Sequence, residues 1–467
     1  MHPSRYGQPW TGVLALAFGP LVFGALSLWS GTAHGQSLVD ALISAYDTNP
    51  TLQAARAELR SVNEGVPQAL SNWRPQVTVT ASGGKQYIDQ DSSNSRDDEF
   101  TTPREGELSV IQPLYRGGRT VAATEAAEND VQSQRASLTS VEQGVLLDAV
   151  TAYMDVWRDQ AVLQLNINNE RVIQRQLEAT QDRFTVGEVT RTDVAQAETR
   201  LATATAERVA AQGALTASQA VYEEVVGQRP GILQAPARQF QGLPGTAEDA
   251  LEIATAGNPD ILASTFAEKA AQEEVREVTG ELLPSLQLRG TASASEEISQ
   301  RDATTKRARV LVELTVPIYQ QGAVSSRVRE AKQVSSQRRL ELLEDRRRIE
   351  QETVSAWEGL QTAQAQILSF ESGVRSAEIA LEGVRQENLV GARTILDILD
   401  AEQELLDAQV NLVGSQRDEV VAAHQVLAAV GRLTARDLGL AVTLYDPETD
   451  YRRVRNRWFG LEAPNAD

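Results

Sequence analysis

The chain is written twice, and the two copies share their punctuation. Asn49-Pro50 returns as Asn258-Pro259, and Arg74-Pro75 as Leu283-Pro284, each 209 residues later (259 − 50; 284 − 75). Leu114-Tyr115 returns as Ile318-Tyr319, Val186-Gly187 as Val390-Gly391 and Asp193 as Asp397, now 204 residues later (319 − 115; 397 − 193). The second copy is therefore five residues shorter (209 − 204), and the loss falls between the Pro75 and Tyr115 landmarks. A repeat of roughly 200 residues is a duplicated architecture, not the unit of a solenoid. Whatever one copy folds into, the chain must hold two of them side by side.

Proline marks out each copy. None occurs between Pro113 and Pro230, nor between Pro317 and Pro447, and both windows are rich in Ala, Leu, Glu, Gln and Arg, which favour helix. Val324, Val328, Ala331 and Val334, then Val354, Trp357 and Leu360, recur at three- and four-residue steps, the stripe of a helix packed in coiled-coil style. The run from 118 to 183 would be about 100 Å long at 1.5 Å per residue, and its partner from 322 to 387 equally so. Helices of that length outrun any globular core and must pack against one another. Each window breaks once, at Arg183-Phe184-Thr185-Val186-Gly187-Glu188-Val189-Thr190 and at Asn388-Leu389-Val390-Gly391-Ala392-Arg393-Thr394. A glycine followed by a threonine is a helix stop and then an N-cap, so each copy ends in a helical hairpin tipped by Val-Gly. Asp193 and Asp397 then fall in the first turn of the outgoing helix, where an acid suits the helix dipole.

Ahead of each hairpin the period changes from helical to two. Residues 76–82 and 286–291 alternate apolar with polar, as do 107–110 and 310–316, with polar loops at 89–104 and 299–305 between them. These are four strands of the length that crosses a bilayer at a tilt. Four strands cannot close, and lipid does not tolerate an open edge. Two chains would make eight strands, a barrel filled by side chains, whereas three would make twelve and leave a lumen. Alternation by itself fits a soluble sheet on a coiled-coil stalk equally well.

The N-terminus has Arg5 as its one charge before a largely apolar stretch at 13–29, then Ala33-His34-Gly35. It reads as a cleavable export signal cut near Gly35/Gln36, since the apolar stretch is short for a membrane span and contains Gly19-Pro20. The chain has no cysteine, which excludes disulfides, thiolate metal sites, cysteine nucleophiles and a lipid anchor through an N-terminal cysteine. His2 and His34 lie in the signal, so His424 alone remains, and no Ser-His-Asp set, metal cluster or phosphate loop is visible. An enzyme is not expected, nor a cofactor. The net charge of −20, or −21 once Arg5 is removed, argues against nucleic acid as a partner. Arg346-Arg347-Arg348 reads as a solvated face opposite Glu341, Glu344 and Asp345, and Arg452, Arg453, Arg455 and Arg457 give the C-terminus a basic tail.

In five places the chain resembles the TolC family of trimeric outer-membrane efflux and type I secretion channels. These are the Asn-Pro pairs, Pro113-Leu114-Tyr115 with Pro317-Ile318-Tyr319, the segment 183–187, Thr192-Asp193, and the run 390–401 from Val390 to Ala401. The resemblance implies a mainly α fold with a membrane β-barrel sector: duplicated long helical hairpins forming an α-helical barrel, plus four strands per chain of a shared twelve-stranded barrel. The expected division is a signal peptide at 1–35 and a first repeat at 36–240, with strands 75–88 and 105–115 and hairpin 118–227. A second repeat follows at 241–438, with strands 284–298 and 306–317 and hairpin 322–431, and then a C-terminal tail at 439–467 near an equatorial belt. The belt would also draw on residues 228–245.

The resemblance further implies an exit duct for protein secretion or multidrug efflux. Its partners would be two further copies in a homotrimer, outer-membrane lipid, a periplasmic adaptor and an inner-membrane ABC or RND-type transporter. Asp397 and Asp400, one helical turn apart, would form two rings of three carboxylates at the periplasmic gate, which select cations and bind divalent ones without a structural metal. Arg393 would latch to a neighbouring hairpin at Thr192 and Asp193. Asn388 stands where the family's founding member has a latch tyrosine, so no aromatic latch is expected. The adaptor would seat at the tips, on Val186, Gly187, Thr190, Val390, Gly391 and Thr394. The competing expectation is a soluble periplasmic coiled-coil scaffold or adaptor protein.

Overall fold

The computed structural model describes residues 35–92, 95–235, 237, 240, 242–298 and 302–463. The expected signal peptide lies outside the described residues except for Gly35. The first repeat opens with three helices, α1 (Leu38–Thr48), α2 (Pro50–Asn63) and α3 (Gly65–Ser71), and four strands, β1 (Gln76–Gly83), β2 (Gln86–Ser92), β3 (Ser95–Thr101) and β4 (Arg104–Arg116). It closes with the hairpin α4 (Arg119–Thr185) and α5 (Arg191–Val226). The second repeat has α6 (Ala247–Gly257), α7 (Pro259–Thr279), a 3-10 turn (Gly280–Leu282), β5 (Ser285–Glu296), β6 (Thr304–Thr315) and the hairpin α8 (Ala323–Leu389) and α9 (Ile395–Ala429). A short α10 (Pro447–Val454) follows. At 67 residues each, α4 and α8 are about 100 Å long. Among the described residues no helix is long and apolar enough to cross a membrane.

The repeated Asn-Pro dipeptides do the same work twice. The side-chain oxygen of Asn49 accepts from the Thr51 amide (2.9 Å) to cap α2, while its Nδ2 donates to the Val225 carbonyl at the end of α5 (3.0 Å). Asn258 caps α7 through the Asp260 amide (2.9 Å) and donates to the Ala429 carbonyl at the end of α9 (2.9 Å). Each asparagine thus starts one helix and clamps the last turn of another, with proline at N1 where no amide is needed. The main core gathers around these clamps, where α1 and α2 bury Leu42, Tyr46, Leu52 and Leu59 against Leu146, Tyr153 and Met154 of α4, Tyr222 of α5 and Leu427 of α9.

The four-stranded sheet runs β1-β4-β5-β6, all antiparallel, so β4 and β5 join the two repeats and β1 and β6 are its edges. The register puts Val77, Val79, Leu108, Val110, Leu288, Val310, Val312 and Leu314 on one face. Thr78, Thr80, Glu107, Ser109, Gln287, Arg289, Arg307, Arg309 and Glu313 share the other, with Ile111 and Leu311 its apolar members. Glu313 accepts there from Gln287 (2.7 Å) and Arg289 (3.0 Å), cross-strand pairs on a wet face. A sheet with lipid on one side and water on the other needs this partition.

Three expectations need correction. The strand expected over 75–88 breaks after Gly83, and the polar loop at 89–104 folds back as the separate two-stranded sheet β2-β3, whose backbone pairs from Gln86↔Thr101 to Ser92↔Ser95. The hairpin can pair locally, so it needs no apolar face to form. The last strand ends at Thr315 rather than 317, because beyond it no neighbouring strand is present. Arg348 is not merely solvated, since it joins α8 to Asp260 of α7 (3.1 Å) while holding Asp345 and Glu352 of its own helix. The C-terminal tail docks on α4 through Arg455 to Glu128 (2.8 Å) and Glu448 to Arg135.

The passage from β4 to α4 turns on Gly117, in the left-handed region at φ 66°. A Cβ there would collide with the Gly280 carbonyl, and a Cβ on Gly280 would stand 2.6 Å from the Gly117 carbonyl. The next residue, Gly118 at φ 78°, has open space around it. Gly118→Ala should therefore cost only the backbone strain of about 1 kcal/mol. Gly117→Ala adds a backbone collision and should cost ~3 kcal/mol. Thermal midpoints of the two variants in detergent would check this, with Gly117→Ala clearly the lower.

Candidate functional site: the hairpin tips

The two tips are built alike from local chemistry. Gly187 (φ 82°) and Gly391 (φ 78°) take the left-handed conformation that ends each incoming helix. Glu188 then donates its amide to the Arg183 carbonyl (2.9 Å), and Ala392 to the Glu387 carbonyl (2.9 Å). Thr190 and Thr394, both extended, start the outgoing helices. Each forms a capping box with the acid three residues on. The Asp193 carboxylate accepts from the Thr190 amide and hydroxyl (2.8 Å each), and Asp397 from those of Thr394 (2.8 and 2.7 Å). Val186, Leu389 and Val390 are left exposed at the apex, beside Phe184.

The tips differ in their charges. Arg393 donates Nε to Glu387 (2.8 Å) and sits 3.8 Å from Asp397, so it closes the turn of its own hairpin. Asn388 adds a bond from Nδ2 to the Arg393 carbonyl (2.8 Å). The Thr394 hydroxyl and amide, and after them Arg393, hold the Asp397 carboxyl below the usual carboxylate range. Glu387 and then Asp397 raise the Arg393 guanidinium further. Among the described residues of one chain, Arg393 touches neither Thr192 nor Asp193.

Asp400 has a partner that no local pattern announces, Arg200 of α5 in the other repeat. The contact follows from packing. Ile395 and Leu399 of α9 bury against Ile173 and Leu177 of α4 and Ala197 and Ala204 of α5, which sets the second hairpin's outgoing helix on the first hairpin. Below it, the nearly buried Glu402 is paired with Arg385 of α8. Of the two carboxylates expected to ring the gate, Asp397 caps its helix and Asp400 meets a cation. Reading residue by residue missed Glu387, Arg200 and the Arg385–Glu402 pair. Only Glu387 had a sequence signal, a charge opposite Arg393 across a six-residue turn. No group of three side chains able to hold a metal occurs among the described residues.

Comparison with known proteins follows the same two-fold plan. Residues 42–228 and 250–432, one stretch per repeat, match the family described as outer membrane efflux protein. The outer membrane efflux protein BepC of Brucella suis is 37% identical over 449 residues, 95% of this chain and 97% of that one. The outer membrane protein TolC of Escherichia coli is 26% identical over 439 residues, covering 90% and 87%. The solved structure of the Campylobacter jejuni CmeC outer membrane channel superposes with a TM-score of 0.79 over 95% of this chain and 98% of that one; at 15% identity this likeness speaks for the fold alone. The chain belongs to the outer membrane efflux protein family, the family of TolC.

Proposed function

We propose that this outer-membrane efflux channel works as a homotrimer whose three sheets close one barrel and whose helices continue it as a periplasmic tunnel. A periplasmic adaptor and an inner-membrane transporter would complete the path, and the duct itself catalyses nothing. One observation carries the reading. The sheet has an apolar face, a polar face and two unpaired edges, and it is rooted in helices about 100 Å long. Such a sheet is stable in lipid only when closed. The family match sets aside the soluble scaffold, which would have no use for an exposed face of Val77, Val79, Val310 and Val312. The 37% identical relative is named for efflux, and more distant relatives are named for protease secretion, so the duct reading covers both kinds of export.

Within this reading the tips form the gate and the docking points. Val186, Gly187 and Thr190, with Val390, Gly391 and Thr394, present exposed apolar turns to an adaptor. Asp397 and Asp400 ring the entrance. Arg393 closes its own turn through Glu387 and, in the assembled trimer, would latch to Thr192 and Asp193 of a neighbouring hairpin. The division into two repeats flanked by an export signal and a belt-forming tail belongs to the same proposal.

Single-channel recording in planar bilayers tests it. The purified protein should give small, cation-selective currents blocked by divalent cations, and a protein that never conducts would refute the duct. Asp397→Asn with Asp400→Asn should raise the divalent concentration for half-block roughly tenfold, since the ring charge is what attracts the ion. Unchanged block in a conducting variant would remove the ring assignment. Arg393→Ser should raise the resting conductance several-fold; a variant as closed as the wild type would count against the latch.

A further inference from the structure

We propose that residues 452–461 form a membrane anchor that lies in the periplasmic leaflet of the outer membrane, at the root of the sheet. The occupant of this surface is phospholipid, with headgroups at the arginines and the upper acyl chains at the aromatic rings. The anchor rests on the reading that the sheet crosses that membrane, yet it uses a segment outside the sheet.

Three contacts carry the segment to that level. α4 starts where β4 ends, so its first turns lie nearest the sheet. Glu448, at the start of α10, pairs with Arg135 of α4, and Arg455, just past the end of α10, pairs with Glu128 (2.8 Å). Glu128 is seven residues earlier on α4 (135 − 128), about 10 Å nearer the sheet. The Arg457 carbonyl then accepts from Nη1 of Arg74 (2.8 Å), whose guanidinium lies 4.9 Å from the centre of the Trp458 ring. Arg74 stands two residues ahead of β1 (76 − 74), and the carbonyl of Trp73 accepts from Gln112 of β4 (2.8 Å). α10 therefore climbs α4 and delivers Trp458 to the ends of the strands.

What arrives there is apolar and uncovered. Trp458 is 57% exposed, Phe459 87% and Leu461 fully, with the two rings 6.4 Å apart. Trp73, Leu114 and Tyr115 are exposed at the same end of the sheet. In water such a cluster has no cover, whereas aromatic rings are at home where headgroups meet acyl chains. The chain is also shaped for that place. Gly460 takes φ 113°, and Arg457 donates Nε to the Phe459 carbonyl (3.0 Å) and Nη1 to the Glu462 carbonyl (2.8 Å). Two backbone acceptors that lipid could not satisfy are thus satisfied by the segment itself. Behind the rings, Arg452 and Arg453 keep 74% and 50% of their side chains exposed, cations placed for lipid phosphate.

The chain has no cysteine, so single cysteines report cleanly. Leu461→Cys, and Phe459→Cys in case the first fails to fold, would be labelled with bimane and the channel reconstituted in vesicles of phosphatidylethanolamine and phosphatidylglycerol. Phosphatidylcholine carrying a nitroxide near its headgroup should remove about half of the emission, and a nitroxide at the chain end should remove less. Val310→Cys, on the apolar face of β6, marks the bilayer and should be quenched too, whereas Val186→Cys, at a hairpin tip, should not. Labels that stay bright at both tail positions beside a quenched label on β6 would overturn the anchor and leave the barrel standing. A label on β6 that no nitroxide quenches would end the barrel reading and the anchor with it.

Discussion

The backbone hydrogen bonds of a four-stranded sheet govern the rest of this molecule. From Arg104 to Ile111 on β4, and along all of β5, the backbone has a paired strand on both sides, but β1 and β6 each leave a row of amides and carbonyls open. In water an open edge is a hazard of aggregation, and in lipid each unsatisfied group costs several kcal/mol. A sheet with an apolar face must therefore reach lipid already closed, and with four strands it can close only by sharing. The duplication makes sharing simple, because an interface that joins one repeat to the next inside a chain can serve again between chains.

The helices extend that logic. An α-helix satisfies its own backbone, so a tunnel of helices can leave the membrane without new edges to protect. What it needs are fixed ends. Asn49 and Asn258 supply them where the shorter helices α5 and α9 end, about halfway along α4 and α8, by capping one helix and clamping another, and the Thr190 and Thr394 boxes supply them at the tips. Between these ends the two hairpins of a chain meet through small and aliphatic residues, and the charges settle around that packing. This is why Asp400 finds Arg200. Of the two aspartates near that tip, Asp400 is thus paired with a cation, whereas Asp397 stays firmly ionised while its carboxylate caps its own helix.

What could be read from the sequence was what is local or repeated. Gly187, Gly391, Thr190 and Thr394 announce the tips because a left-handed stop and an N-cap are decided within a few residues. The Asn-Pro pairs and the long proline-free windows are likewise visible in the letters. The β2-β3 hairpin was not, because residues 89–104 are polar and acidic and their pairing owes nothing to an apolar face. The Arg200–Asp400 contact was not, because it depends on how two hairpins 200 residues apart in sequence lean together. The end of β6 was misplaced for a related reason, since residues 316 and 317 have the pattern of a strand and lack, within one chain, a strand to pair with.

Amide hydrogen exchange on the bilayer-embedded protein tests the central claim most directly. If every edge is closed, amides of β1 and β6 should exchange as slowly as those of β4 and β5. Fast exchange along β1 and β6, with β4 and β5 still protected, would mean that the edges stay open and that the chain does not build a shared barrel.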